Sequence, residues 1–129
     1  MRQAVKVSST VLVVDDYEDS RLMFRRVMES RGFAVAEAPD GEAAVESARR
    51  VCPDLILLDL NMPRLDGLAT AQKIRELRGV CGDVPIVAVT AFDTYGMREA
   101  ALEAGCDDYL TKPIDISDLD RALRRFLPV

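Results

Sequence analysis

The stretch LILLDLNMPRLDG, residues 55–67, decides how this chain is read. Its first four residues are apolar without a break, and the carboxylate of Asp59 follows at once. A run this short and this apolar suits a strand buried on both faces of a parallel sheet. Two other runs share the character. VLVV at residues 11–14 is followed by Asp15 and Asp16, and IVAV at residues 86–89 is followed by Thr90 and Ala91. Strands are predicted at residues 10–14, 33–38, 55–58, 86–89 and 109–111.

Helical patterns fill the intervals. Met23, Phe24, Val27 and Met28 form one stripe of a helix over residues 20–31, which Gly32 closes. A second helix follows Asp40 as N-cap and runs through Ala43, Ala44 and Ala48. A third starts near Gly67 and carries Ala71, Ile74 and Leu77. A fourth follows Asp93 and Thr94, has Gly96 in its first turn and stops at Gly105. The fifth starts after Ser117, with Asp118 and Asp120 near its N-terminal end and Arg121, Arg124 and Arg125 near its C-terminal end, as the helix dipole prefers. Five strands alternating with five helices imply right-handed crossovers and an α/β, doubly wound parallel sheet. Ligands of such sheets bind beyond the C-terminal ends of the strands.

The composition narrows the chemistry. The chain has 129 residues, 49% of them apolar and 30% charged, which suits one domain with one core. A net charge of −5 speaks against tracking a phosphate backbone, so no nucleic-acid partner is expected. No apolar run approaches the roughly 20 residues that cross a bilayer. Residues 1–9 lack a signal-peptide core, so we expect no membrane partner and a cytoplasmic location. Three widely spaced cysteines, Cys52, Cys81 and Cys106, without a CxxC pair predict reduced thiols rather than disulfides or a zinc site. Histidine is absent, so no imidazole from this chain can act as base, nucleophile or ligand.

The strand ends gather Asp15, Asp16, Asp59, Thr90 and Lys112 on one edge of the sheet. Taken singly, each is ordinary turn chemistry. Together, three carboxylates repel by about 4 kcal/mol per pair at 4 Å and an effective dielectric of 20, an arrangement that calls for a cation and an ammonium group. Oxygen ligands without imidazole or thiol point to Mg²⁺ or Mn²⁺.

The chain resembles the receiver domain of two-component response regulators, the family that includes the chemotaxis regulator. The resemblance rests on VLVVDD at residues 11–16, LLDLNMPRLDG at 57–67, VTA at 89–91 and YLTKPI at 109–114, and spans about residues 11–127. It implies a flavodoxin-like sheet of strand order 2-1-3-4-5. It also implies that Asp59 is the phosphoacceptor. Asp16 and Asp59 would ligate the metal directly, the Asn61 backbone carbonyl would supply a third oxygen, and Asp15 would act through metal-bound water. Lys112 would hold a phosphoryl oxygen, aimed by a cis bond to Pro113. Thr90 and Tyr109 would be the switch pair, with Tyr109 moving inward when Thr90 turns toward phosphate. Asn61, Ala91 and Phe92 would border the phosphoryl group.

By the same resemblance, a sensor histidine kinase or histidine phosphotransfer protein donates the phosphoryl group, with Tyr17, Glu18 and Arg21 as candidate contacts. A downstream protein would bind through helix 4, strand 5 and helix 5. The reading is a tail at residues 1–9 and a single receiver domain at 10–129, with no room for an output domain. Such a domain is no enzyme beyond its own phosphorylation and dephosphorylation. A receiver fragment of a hybrid kinase, or a phosphorelay intermediate, fits the same residues. An aspartate-nucleophile phosphatase would want a second Asp where Asn61 stands, and a flavin module would want a phosphate loop where Asp15, Asp16 and Glu18 stand.

Overall fold

The computed structural model describes residues 9–62, 66–77, 79–91 and 96–127. Five parallel strands, β1 (Thr10–Val14), β2 (Ala34–Ala38), β3 (Leu55–Asp59), β4 (Ile86–Thr90) and β5 (Asp108–Thr111), lie in the order β2-β1-β3-β4-β5. The helices are α1 (Glu18–Ser30), α2 (Gly41–Val51), α3 (Gly67–Arg75), α4 (Met97–Ala104) and α5 (Ile116–Phe126). This is the flavodoxin-like α/β sheet expected from the sequence.

Strand alternation sorts the core into two layers. Leu12, Val14, Ile56, Leu58, Ile86 and Ala88 point to one face, where Ala44 and Ala48 of α2, Ala71 and Ile74 of α3, and Ala101 and Ala104 of α4 cover them. Val11, Val13, Leu55, Leu57, Val87 and Val89 point to the other, under Phe24 and Met28 of α1 and Leu119, Ala122 and Leu123 of α5. Burying each large side chain contributes roughly 1.5–3 kcal/mol. The three continuously apolar runs are therefore the three central strands, whose both faces are covered.

The element ends show where local chemistry competes. Phe33, expected in β2, instead donates its N–H to the Met28 carbonyl, completing the exit of α1, while its ring stays buried. Asp40 caps α2 by accepting from the Ala43 N–H at 2.8 Å, as expected. Asp115 caps α5, so that helix begins at Ile116 rather than after Ser117. Gly96 is not inside α4. It is the N-cap, with φ of 86° that favours glycine. A Cβ on Gly67 would sit 2.4 Å from Leu60 Cα and 2.8 Å from the Asp59 carbonyl oxygen, so only glycine lets α3 start against the end of β3.

The expectation of three reduced thiols is wrong. Cys52 and Cys81 are joined in a disulfide, with Cα atoms 4.9 Å apart. Cys52 ends α2 and Cys81 lies in a 3-10 helix, Gly79–Asp83, that the sequence pattern did not signal. Packing of α2 against α3 brings the two segments together, a proximity that a separation of 29 residues conceals. Cys52 is also the one non-glycine residue of positive φ among the described residues, at 51°, a conformation costing about 1–2 kcal/mol. Cys106 is free and buried, and burial pushes its thiol up to about 12.

Candidate functional site

The strand order sets β1, β3, β4 and β5 side by side, so their C-terminal ends form one edge. Asp15 and Asp16 follow β1, Asp59 and Thr90 are the last residues of β3 and β4, and Lys112 follows β5. The structure brings these five together. One carboxylate oxygen from each of Asp15, Asp16 and Asp59 lies within 4.8 Å of the others. Lys112 Nζ stands 3.6 Å from Asp59 Oδ2 and 3.9 Å from Asp15 Oδ2. Asp15 and Asp59 are buried, whereas Asp16 is exposed. The Lys112–Pro113 bond is cis.

Burial is the main cause that raises the Asp59 carboxyl above its ordinary value, and the charges of Asp15 and Asp16 add to it. The Asn61 N–H, which donates to Asp59 Oδ1 at 2.8 Å, and the Lys112 ammonium work the other way. One Asp59 oxygen is thus tied to the following loop, while the other faces Lys112. An all-oxygen cluster of this span suits a small hard cation with metal–oxygen distances near ~2.1 Å, so these three acids could hold a metal.

Asn61 does more than border the site. Its Oδ1 accepts from the Thr90 hydroxyl at 2.7 Å and from the Ala91 N–H at 3.0 Å. The side chain after β3 therefore occupies the two donors at the end of β4. Tyr109 is already buried, with the Arg98 guanidinium 5.3 Å from its ring centroid. Phe92 lies outside the described residues.

Two site residues were not foreseen in their roles. Ser20, in the first turn of α1, donates its hydroxyl to Asp15 Oδ2 at 2.5 Å, and the Tyr17 N–H donates to Asp15 Oδ1 at 2.9 Å. No sequence signal separates this serine from any other in a first helical turn. Arg21, a candidate kinase contact, also has partners within the chain. It donates to the Asp15 carbonyl at 2.9 Å and pairs with Glu37 at 2.9 Å. Beside Lys112, a groove of about 260 Å³ runs between α1 and α5, lined by Met23, Phe24, Val27, Ile114, Ile116 and Leu119 among others. Met23 and Ile116 are half exposed at its rim.

Comparison with known proteins agrees with this geometry. The family model of the response regulator receiver domain matches residues 11–124. Response regulator MprA of Mycobacterium tuberculosis is 41% identical over 121 residues, covering 94% of this chain and 51% of that protein. The chain therefore spans about half the length of the curated relatives it matches. Among solved structures, the receiver domain of sensor histidine kinase PA1611 of Pseudomonas aeruginosa, with magnesium in its active-site cleft, superposes at a TM-score of 0.84 and 37% identity, covering 93% of this chain and 98% of that one. The receiver domain of the Saccharomyces cerevisiae regulator Ssk1, crystallised with the histidine phosphotransfer protein Ypd1, gives 0.84 at 29% identity, covering 94% and 91%.

Proposed function

This chain belongs to the response regulator receiver family, and from that premise we propose that Asp59 accepts a phosphoryl group from a phosphohistidine and that the acylphosphate controls binding to a partner protein. The observation that carries the reading is the buried Asp59 carboxylate, 3.6 Å from Lys112 and ringed by two further acids at one sheet edge. A carboxylate oxygen of Asp59 attacks phosphorus, the phosphorus–nitrogen bond breaks, and the donor imidazole leaves. Lys112 holds a phosphoryl oxygen. The Thr90 hydroxyl and Ala91 N–H leave Asn61 Oδ1 to bind another. Asp16, Asp59 and the Asn61 carbonyl would hold Mg²⁺ or Mn²⁺ directly, with Asp15 acting through metal-bound water, and the bound ion would offset the charge on the phosphoryl oxygens.

The exposed Met23 and Ile116 beside Lys112 supply an apolar seat for the donor, a histidine kinase or phosphotransfer protein. The output runs through α4, β5 and α5, where Tyr109 and Arg98 pack together. On this reading the domain works in the cytoplasm, catalyses only its own phosphorylation and dephosphorylation, and, with a net charge of −5, engages neither nucleic acid nor membrane. The same chemistry serves a receiver joined to a kinase, as PA1611 illustrates, or a relay intermediate. The test is incubation with a small acyl phosphate and Mg²⁺. Intact mass should rise by one phosphoryl group, and Asp59→Asn should abolish the gain. Equal labelling of the variant would refute the assignment.

A further inference from the structure

Cys52 and Cys81 lie far from the acid cluster in the fold, one at the end of α2 and the other in the 3-10 helix before β4. Both are partly exposed, so a small reagent can reach them. Cys106 is the opposite case: it is buried, and its thiol stays protonated at neutral pH. Thiol chemistry in this chain is thereby confined to one pair, already within bonding reach.

The pair is wired to the rest of the fold through Arg75, the last residue of α3. Gly82, next to Cys81, offers its carbonyl to Arg75 Nη1 at 2.8 Å. The same nitrogen donates to the Val84 carbonyl at 2.6 Å. Arg75 Nε and Nη2 reach the Gly105 carbonyl at 3.0 and 2.7 Å, and Nη2 reaches Asp107 Oδ2 at 2.8 Å. Asp107 Oδ2 in turn accepts from the Ile86 N–H, the first of β4. Gly105 is the C-cap of α4. One guanidinium thus joins the 3-10 helix to the exit of α4 and the entry of β5. Space is tight at this joint. A Cβ on Gly82 would lie 2.2 Å from the Leu77 carbonyl oxygen, and one on Gly105 would lie 2.8 Å from Arg75 Cγ.

We propose that Cys52 and Cys81 form a reversible thiol–disulfide site, oxidised by low-molecular-weight disulfides and reduced by thiols, whose state Arg75 carries to the end of α4. In oxidation, one cysteine thiolate attacks a sulfur of the small disulfide, forming a mixed disulfide and expelling one small thiol. The second cysteine thiolate then attacks the protein sulfur and expels the other. Two protein thiols and one small disulfide become one protein disulfide and two small thiols. The closed link holds the 3-10 helix, and with it the Gly82 carbonyl, against α2. Opening it frees that segment, and the guanidinium shared with Gly105 and Asp107 readjusts. The inference does not rest on Asp59 phosphorylation, and its test uses no phosphoryl donor.

The experiment places the full chain in buffers of oxidised and reduced glutathione, alkylates it under denaturing conditions and weighs it. One alkyl group is expected from the oxidised chain, on Cys106, and three from the reduced chain, with the change reversible. Amide spectra of the two forms should differ at Gly105 and Asp107 as well as near the cysteines. With Cys52 and Cys81 both replaced by serine, the chain should give the same spectrum in both buffers. In Arg75→Gln the thiol count should still change while the shifts at Gly105 and Asp107 are lost. Should that variant not fold, the Arg75 Nε proton of the wild-type chain should exchange faster in the reduced form. Three alkyl groups in oxidised glutathione, or a lasting glutathione adduct, would overturn the site. Shifts confined to the neighbours of Cys52 and Cys81, or an Arg75 proton indifferent to redox state, would overturn the relay.

Discussion

Asp59→Asn should stabilise the metal-free protein. In the chelated wild type, Asp59 meets Asp15 and Asp16 within 4.8 Å and Lys112 at 3.6 Å. At an effective dielectric of 20, two repulsions of about 3.5 kcal/mol each oppose one attraction of about 4.6 kcal/mol, leaving a net penalty of about 2 kcal/mol. Solvent around the exposed Asp16 and the partly exposed Lys112 reduces this to about 1–2 kcal/mol. The variant keeps the side-chain shape, and Lys112 keeps Asp15 as partner at 3.9 Å. Its melting temperature in chelator at neutral pH should therefore rise by about 4–8 °C.

The pH dependence has a definite sign. Burial first, then the neighbouring acids, raise the Asp59 carboxyl in the fold, so the folded chain holds a proton that the unfolded chain has released. That contribution to stability is present at low pH and is lost as pH rises through the raised value. Asparagine escapes the loss, so the advantage of the variant is full at neutral pH and closes below the ordinary value of 3.8. Saturating Mg²⁺ should raise the wild type more than the variant, which lacks one ligand. A variant that melts at or below the wild type in chelator at neutral pH would refute the reasoning. So would a gap that stays constant at low pH.

Glu37 predicts the opposite sign. Burial raises its carboxyl, but the bonds from Arg25 and Arg21 outweigh that and leave it lowered, so Glu37→Gln should cost about 0.5–1 kcal/mol at neutral pH and nothing once the lowered carboxyl is protonated, as urea midpoints at the two pH values would read. Asn61→Ala removes the acceptor that occupies Thr90 and Ala91, a bond worth about 1 kcal/mol, so labelling by a small acyl phosphate should quicken by about fivefold; slower labelling would mean that Asn61 aids transfer. Opening the Cys52–Cys81 link, which closes a loop of 29 residues, should lower stability by about 3 kcal/mol and the melting temperature by roughly 10 °C in calorimetry, with Cys81→Ser unresponsive to reductant.

How much of this was legible in the sequence follows from what kind of contact each feature needs. The three central strands declare themselves because both their faces are buried, which leaves unbroken apolar runs such as LILL. Asp15, Asp59, Thr90 and Lys112 could be gathered onto one edge from the sequence alone because a parallel sheet brings every C-terminal strand end to the same side. Backbone topology alone did that work. What the sequence did not show has a different origin. The bonds of Arg21 to Glu37 of β2 and to the Asp15 carbonyl had no signal in the sequence, which offered it only as a kinase contact by resemblance. The partner of Cys52 is 29 residues away and is chosen by how α2 leans on α3. Arg75 carried no signal in the sequence, yet the fold gives its guanidinium four carbonyl or carboxylate partners from two other connections. Each case turns on which of several chemically equal partners a long or reactive side chain meets, and that choice is made by the packing angles of the helices. Sequence periodicity specifies which face of a helix is buried, but the angle at which that face meets its neighbour is set only when the side chains interdigitate. The edge that gathers the acids and Lys112 stands on topology and was therefore readable, while the thiol pair and its arginine link stand on helix packing and required the structure.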